Sequence, residues 1–379
     1  MGNVMSNKKI GFFKMGSFSH TNSKVKEILI KNFPEYDVEV IDIWDDLIDI
    51  RNPMLWFFCM KDYLIPDLLK KRTFIDSVYR TEFFFNLVRK KAHILIQEKK
   101  YTFTFQTQSF FDVSTPNTPN FLYTDHTHLA NLYYPEFNKK KLYPKKWIDL
   151  EKSVYQNATI NFTMSSHVSQ SIYEHYQCDK NKIKTVYVGS NSEKTLKIHN
   201  DDRYKAQNIL FLGIAWERKG GPQLIDAFKM VREALPNATL TIVGCTPKLK
   251  IENCTVVGRV PLEEVNQYYA NASVFCLPTR LEPFGIVFIE AFNNKLPVVA
   301  SNIGAIPDFI SEGKSGYTVE PNDSKLLANY LIKLLSSPVK CKEFGEVGYE
   351  LIKKKYTWEN TGKMMYEHIS KHLIKIKSQ

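Results

Sequence analysis

The stretch Glu282-Pro-Phe-Gly-Ile-Val-Phe-Ile-Glu290 sets two carboxylates eight positions apart around a Pro-Phe-Gly step and an apolar run. It follows the strand-like Ser273-Val-Phe-Cys-Leu277 and the turn Pro278-Thr-Arg-Leu281, so a strand, a short loop and a helix start are expected to meet here. Pro283 suits the first position of a helix, where its missing N–H costs nothing. Gly285 lets a ligand approach the backbone closely. The N–H groups of Phe284, Gly285 and Ile286 are then expected to point outwards as an anion site, with Glu282 at its mouth. Glu290 falls about two turns down the helix, and at a rise of about 1.5 Å per residue the carboxylates stand on the order of 10 Å apart. An amphipathic helix with one acid near its cap and another facing solvent would satisfy the same two glutamates. The surrounding segments decide between the readings.

Outward from this stretch, strands and helices alternate. Asn208-Ile-Leu-Phe-Leu212, Ala238-Thr-Leu-Thr-Ile-Val243 and Pro297-Val-Val-Ala-Ser301 are expected strands of the same unit. The chain opens on a similar pattern. Lys9-Ile-Gly-Phe-Phe13 predicts a strand, Met15 to Asn22 a loop containing Gly16, and Val25, Ile28, Leu29 and Ile30 a helix. Tyr36 to Ile43, Thr102 to Gln106 and Phe121 to Thr124 predict further strands, and the aromatic-rich residues 50–100 predict helices packed on them. Strand–loop–helix–strand order argues for parallel sheets with crossover helices. Two Rossmann-like domains facing a cleft is the economical α/β architecture. The boundary is expected at the turn Tyr187-Val-Gly-Ser-Asn191, giving domains 1–190 and 191–355. Ligands of open parallel sheets bind beyond the carboxyl ends of the strands, where the glutamate stretch lies. From Tyr356 through Ile376, the spacing of Met364, Met365, Ile369 and Leu373 predicts an amphipathic helix.

Composition removes several function classes. The 379 residues allow two domains with their own cores. No apolar run approaches the roughly 20 residues a membrane helix requires. Residues 1–16 lack the apolar core of a signal peptide, and the six cysteines are scattered without metal-like spacing. A reduced cytosol is expected, with the inner face of the plasma membrane as a second location. Gly2-Asn-Val-Met-Ser6 fits a myristoylation pattern that short sequences match by chance, and Asn157-Ala-Thr159 carries no weight as a glycosylation site. The net charge of +11, with lysines clustered at 139–141, 145–146 and 353–355, fits either a solvated surface or attraction to anionic headgroups or a phosphorylated acceptor. No nucleic-acid-binding module accompanies the charge.

The glutamate stretch resembles the acidic motif of the retaining GT-B glycosyltransferases, in particular glycosyltransferase group 1, or family 4. The resemblance implies that Glu282 contacts the donor sugar and Glu290 binds the ribose hydroxyls, across the span of a diphosphate. Phe211-Leu-Gly-Ile-Ala-Trp-Glu-Arg-Lys-Gly-Gly221 is similar to the segment that follows the first donor-domain strand. It gives Lys219, with Arg218, the task of neutralising the donor diphosphate as the glycosidic bond breaks. Many relatives carry an arginine directly after the strand-ending glycine, where this chain has Ile214. Ser301 to Asp308 and Glu312 to Val319 resemble the glycine loop and hairpin that follow the donor-binding helix. Val257-Gly-Arg-Val260, with Arg259, lies where relatives hold the nucleobase through the backbone. In the first half, His126 of Thr124-Asp-His-Thr-His128 takes the place of a cleft histidine near the reactive face of the sugar, with Asp125 orienting it or meeting the acceptor. His-x-His is also a metal spacing, and a structural histidine pair satisfies it equally. Gly16 is expected to let its loop approach the diphosphate or acceptor. Ser165 or Ser166 is expected to cap a helix.

The expected activity is retaining transfer of a sugar from a nucleotide-diphosphate donor to a saccharide or lipid-linked acceptor. The resemblance also brings the C-terminal helix back onto the first domain. No Asp-x-Asp stands at a comparable site, so neither a metal nor another cofactor is expected. The alternatives are a GT-B nucleotide-sugar epimerase or phosphorylase, or an inactive nucleotide-binding scaffold. Peripheral contact with an anionic membrane belongs to the same expectation.

Overall fold

The computed structural model describes residues 8–18, 21–64, 78–189 and 201–378. The Gly2–Ser6 pattern, Ser19, His20 and the expected boundary at residues 190 and 191 lie outside them. The chain divides into two compact units, one of residues 1–132, 137–188 and 358–379, the other of residues 133–136 and 189–357. The short segment Tyr133–Glu136 thus leaves the first unit and joins the second.

The first unit is built on a six-stranded parallel sheet of order β2-β1-β3-β4-β5-β6. Its strands are β1 (Lys8–Lys14), β2 (Tyr36–Asp42), β3 (Phe103–Thr107), β4 (Asn120–Thr124), β5 (Ile160–Thr163) and β6 (Ile183–Thr185). Helices α1 (Thr21–Asn32), α2 (Pro53–Leu64), α3 (Glu82–Lys99), α4 (Lys145–Asn157) and α5 (Ser166–Glu174) connect them. Strands covered on both faces carry near-continuous apolar sequence, and every residue of β3, β4 and β5 is buried. Phe105 and Phe162 stack nearly parallel at 6.3 Å between centroids. Thr81 and Ser165 cap α3 and α5 by accepting from the amides of Phe84 and Val168.

The second unit repeats the scheme with a six-stranded parallel sheet of order β12-β11-β10-β7-β8-β9. Its strands are β7 (Asn208–Leu212), β8 (Thr239–Val243), β9 (Cys254–Gly258), β10 (Val274–Leu277), β11 (Val298–Ser301) and β12 (Gly316–Val319). The helices that concern the site are α6 (Gly221–Ala234), α7 (Val265–Asn271) and α8 (Ile286–Asn293). Residues 312–319, expected as a hairpin, instead supply β12, which runs parallel to β11 from Val298↔Gly316 to Ser301↔Val319. Gly316 permits this close approach, since a Cβ there would lie 2.2 Å from the Val298 carbonyl oxygen. Strand order reverses between β7 and β10, which makes the loops after them the switch point of the sheet.

Helices α9 (Ser324–Leu335) and α10 (Pro338–Lys355) complete the second unit, and α11 (Trp358–Lys377) lies in the first. Met365 and Ile369 of α11 are buried, and its Gly362 sits against Ile28 and Asn32 of α1. Among the described residues, no helix is long and apolar enough to cross a membrane.

Candidate functional site

Two loops of the second unit, Gly213–Gly220 after β7 and Pro278–Gly285 after β10, are stitched together at the switch point. The Arg280 amide donates to the Arg218 carbonyl at 2.9 Å, and the Arg218 guanidinium donates to the Leu281 carbonyl at 2.7 Å. Gly220 makes the contact possible. Its φ of +75° is left-handed, and a Cβ there would lie 1.8 Å from the Pro278 carbonyl oxygen. Only glycine satisfies both conditions.

The two basic residues of the first loop separate in function. Arg218 is exposed, whereas Lys219 turns inward and its ammonium forms an ion pair with the Glu282 carboxylate. The two side chains are only 11% and 7% exposed. Sequence reading expected Arg218 and Lys219 as a basic pair exposed to a cleft, but Lys219 is buried against Glu282 while Arg218 alone is exposed. Desolvated opposite charges hold each other far more strongly than a surface pair would.

The helix after Glu282 begins later than expected. Gly285, at φ +90°, caps α8 and Ile286 is its first residue, so Pro283 lies in the loop and not at the helix start. The Phe288 amide donates to the Gly285 carbonyl at 3.0 Å, which closes the first turn. The amides of Ile286 and Val287, at the helix N-terminus, have no intrahelical acceptor and are suited to an anion. The side chain of Phe284 packs edge-on against Phe309, with centroids 5.1 Å apart, which leaves only its backbone for a ligand.

Glu290 therefore follows the helix start by about one turn rather than two. One carboxylate oxygen lies 3.1 Å from the Tyr269 hydroxyl, which also stands 3.2 Å from the Val287 carbonyl. Burial raises the Glu290 carboxyl above its usual range, and the Tyr269 hydrogen bond opposes the rise. Tyr269 escaped sequence reading, because nothing within α7 marks a tyrosine whose partner is 21 positions away. Arg259 is exposed just beyond β9. With β8 between β7 and β9, it is two strand spacings, or about 10 Å, from the β7 loop. The second unit thus gathers Glu282, Lys219, Arg218, Phe284, Gly285, Ile286 and Glu290 in one region, with Arg259 set to one side.

The first unit has a cavity of about 340 Å³ at the carboxyl end of β4, lined among others by Asp125, His126, His128, Glu151, Arg80 and Trp147. Burial pushes the Asp125 carboxyl up to about 6. Burial, reinforced by the nearby His167, pushes His126 down to about 4 against the opposing bond to Asn131. Near neutral pH the pair is a carboxylate beside a neutral imidazole. His128 serves the wall of the cavity. Its Nε2 accepts from the Tyr143 amide at 2.8 Å, and its own amide donates to Glu151 at 3.2 Å. That is the structural role left open for the His-x-His spacing.

Glu151, not anticipated from sequence, is buried and accepts from the Ser109 hydroxyl at 3.0 Å and the Tyr155 hydroxyl at 3.1 Å, with the Tyr176 hydroxyl as a further donor. Gly16 ends the β1 side at φ +60°, exposed, with its carbonyl accepting from Asn22 at 3.0 Å. Strand β3 separates it from the His126 loop. Among the described residues there is no cluster of three or more His, Cys, Asp or Glu side chains arranged to hold a metal ion.

Residues 179–351 match the family model described as glycosyl transferases group 1. The chain is 29% identical over 171 residues to a GDP-mannose-dependent alpha-(1-6)-phosphatidylinositol monomannoside mannosyltransferase of Mycolicibacterium smegmatis, covering 40% of this chain and 45% of that one. It is 27% identical over 276 residues to a D-inositol 3-phosphate glycosyltransferase of Corynebacterium urealyticum, covering 65% and 64%. The chain spans about half the length of the first curated relatives it matches. Among solved structures, sucrose-phosphate synthase of Thermosynechococcus elongatus shares the fold at a TM-score of 0.68 and 16% identity, covering 97% of this chain and 100% of that one. The chain has a GT-B fold, and its second unit is similar to the group 1 glycosyl transferases.

Proposed function

We propose that this chain is a group 1 glycosyl transferase that moves a sugar from a nucleoside-diphosphate donor to a saccharide or lipid-linked acceptor, with retention at the anomeric carbon. The buried Lys219–Glu282 pair at the switch point of the second sheet carries the reading. In this reading Glu282 holds a hydroxyl of the donor sugar. Lys219, the exposed Arg218 and the α8 amides meet the diphosphate, whose charge grows as the glycosidic bond breaks. Groups aimed at developing charge act most strongly in the transition state, which makes them catalytic rather than merely binding. Glu290, oriented by Tyr269, takes the ribose hydroxyls. Arg259 and Gly258 border the base, and His126 and Gly16 keep the sugar- and acceptor-side roles that the resemblance gives them.

These cationic groups and amides supply the positive side of the site from the protein alone, so independence of divalent metal belongs to the proposal. The relatives' names support a role in glycolipid or cell-surface polysaccharide assembly. Peripheral contact with anionic membrane from the cytoplasmic side is part of the same reading. It is supported by Met54 and Phe57 of α2, 54% and 64% exposed, beside the basic Arg51 and Lys61.

A thermal-shift screen with UDP, GDP, ADP and their sugar conjugates, with and without EDTA, tests the reading. At a ligand concentration of 100 Kd, native-state binding adds about 2.7 kcal/mol of stability. One base is expected to stabilise the protein regardless of EDTA, and Glu290→Ala is expected to abolish the shift. No shift with any diphosphate would defeat the reading and favour a catalytically inactive scaffold that acts through its basic surface.

A further inference from the structure

The segment Tyr133–Glu136 is the one part of the chain between β1 and β6 that belongs to the second unit. Tyr134 is only 3% exposed, and its hydroxyl donates to the backbone carbonyl of Glu282 at 3.0 Å. Gly304 leaves room for this bond. A Cβ there would lie 2.2 Å from the Glu282 carbonyl oxygen and 3.1 Å from the Tyr134 hydroxyl. Two residues on, the Glu136 carboxylate lies 3.7 Å from the Arg280 guanidinium and accepts from the Asn322 side-chain amide at 2.6 Å. Arg280 in turn donates to Asn322 at 2.8 Å, and the Asn322 amide donates to Gln223 at 3.0 Å. The segment is therefore a strap that grips the Glu282 loop at two points.

We infer that Tyr134 and Glu136 are positioning residues that fix the aim of the Glu282 carboxylate. The inference rests on the reading of Glu282 as the acid that holds the donor sugar. Lys219 fixes the carboxylate end of Glu282 and Tyr134 fixes its backbone end, so together they leave the side chain little freedom. A misplacement of about 1 Å in such a group is enough to weaken a reaction many-fold.

The experiment uses the full chain and separates the sugar from the nucleotide. UDP, GDP and ADP are titrated alone, and then UDP-glucose, UDP-N-acetylglucosamine, GDP-mannose and ADP-glucose. The conjugate that Glu282→Ala weakens, without weakening its bare diphosphate, is carried forward. Tyr134→Phe keeps the ring and removes only the hydroxyl. It is expected to leave the diphosphate Kd within about twofold and to weaken the conjugate about 2- to 12-fold, the range of one hydrogen bond. In the Glu282→Ala background, Tyr134→Phe is expected to add less than about twofold, because no carboxylate is left for Tyr134 to aim. Glu136→Gln, on the exposed side of the strap, is expected to act in the same direction more weakly. It stands in should Tyr134→Phe fail to fold.

Unchanged conjugate affinity in both strap variants overturns the inference and leaves the donor reading intact. An equal loss for diphosphate and conjugate also overturns it, because that pattern marks general damage to the unit. Absence of any conjugate selectively weakened by Glu282→Ala instead defeats the role assigned to Glu282, and the inference falls with it.

Discussion

Replacing Lys219 with methionine removes one charge of the buried pair and keeps the aliphatic stem that packs near Gly213. With the partner side chains 11% and 7% exposed, the Glu282 carboxylate is left desolvated and unpaired. Breaking a pair in that regime costs about 3–5 kcal/mol, against about 0–1 kcal/mol for an exposed bridge. Removing both charges, as Lys219→Met with Glu282→Gln, eliminates the orphaned carboxylate and is expected to restore stability to within about 1 kcal/mol of wild type. The coupling energy of the cycle, the two single costs less that of the double variant, is then at least about 5 kcal/mol, well above what non-interacting sites produce. The chain has two units, so a global melting curve mixes their transitions. Hydrogen exchange of peptides covering β7 and β10, read by mass spectrometry, reports the opening of the second sheet directly. Single variants that each lower its protection by less than about 1 kcal/mol would refute the reasoning. The pair would then be screened by water, and Glu282 would owe its position to its backbone alone.

Other outcomes follow from the same geometry. Asp125, whose carboxyl is pushed up to about 6, contributes stability below its unfolded value near 3.8 and loses it as pH rises through about 6. Asp125→Asn is therefore expected to be more stable than wild type at pH 7.5, by on the order of 1–3 kcal/mol, with the gap closing below pH 4 in urea titrations. His126 runs the other way. Its lowered value of about 4 gives stability above its unfolded pKa that is lost as pH falls, so His126→Gln should resist acid unfolding near pH 4 better than wild type. Gly16→Ala meets a φ of +60° in open space and is expected to cost about 1–2 kcal/mol. Gly220→Ala adds a collision with backbone 1.8 Å away and is expected to cost at least about 3 kcal/mol by urea unfolding. Equal costs for the two glycines would contradict the steric account. Tyr269→Phe is expected to weaken diphosphate binding about 2- to 12-fold through loss of one hydrogen bond to Glu290, measured by calorimetry.

Much of this organisation was legible in the chain, because parallel strands buried on both faces leave unmistakable apolar runs. β7 was anticipated residue for residue, and β10 and β11 to within one. The short edge strands β6 and β9 were not, since Ile183–Thr185 is too brief for a pattern and Cys254–Gly258 alternates weakly. The glutamate stretch pointed to the right loop but placed the helix start too early. Pro283 is compatible with a first helical position, yet the left-handed turn at Gly285 delays the helix until the chain has carried Glu282 to Lys219. Tyr134, Glu151 and Tyr269 left no local mark. Each acts through a hydrogen bond to a residue brought near only by folding, and sequence spacing says nothing of such partners.

The position of the pair explains why these loops need so many glycines. The loops after β7 and β10 meet at the switch point, beyond the carboxyl ends of the strands, where ligands of open parallel sheets bind. A lysine left exposed there would be solvated and mobile, and an unpaired glutamate beside it would repel a diphosphate. Burying the two against each other neutralises that repulsion while keeping a cation at hand. The burial requires loop backbones closer than side chains permit, which Gly220 and Gly304 allow at 1.8 Å and 2.2 Å from the carbonyls of Pro278 and Glu282. In the proposed reading the anion is met by groups whose position is fixed before it arrives, namely the helix amides and an ammonium already oriented by its carboxylate. Such preorganisation avoids rearrangement at the moment charge develops. For that reason the strap on the Glu282 carbonyl matters as much as the salt bridge at its carboxylate.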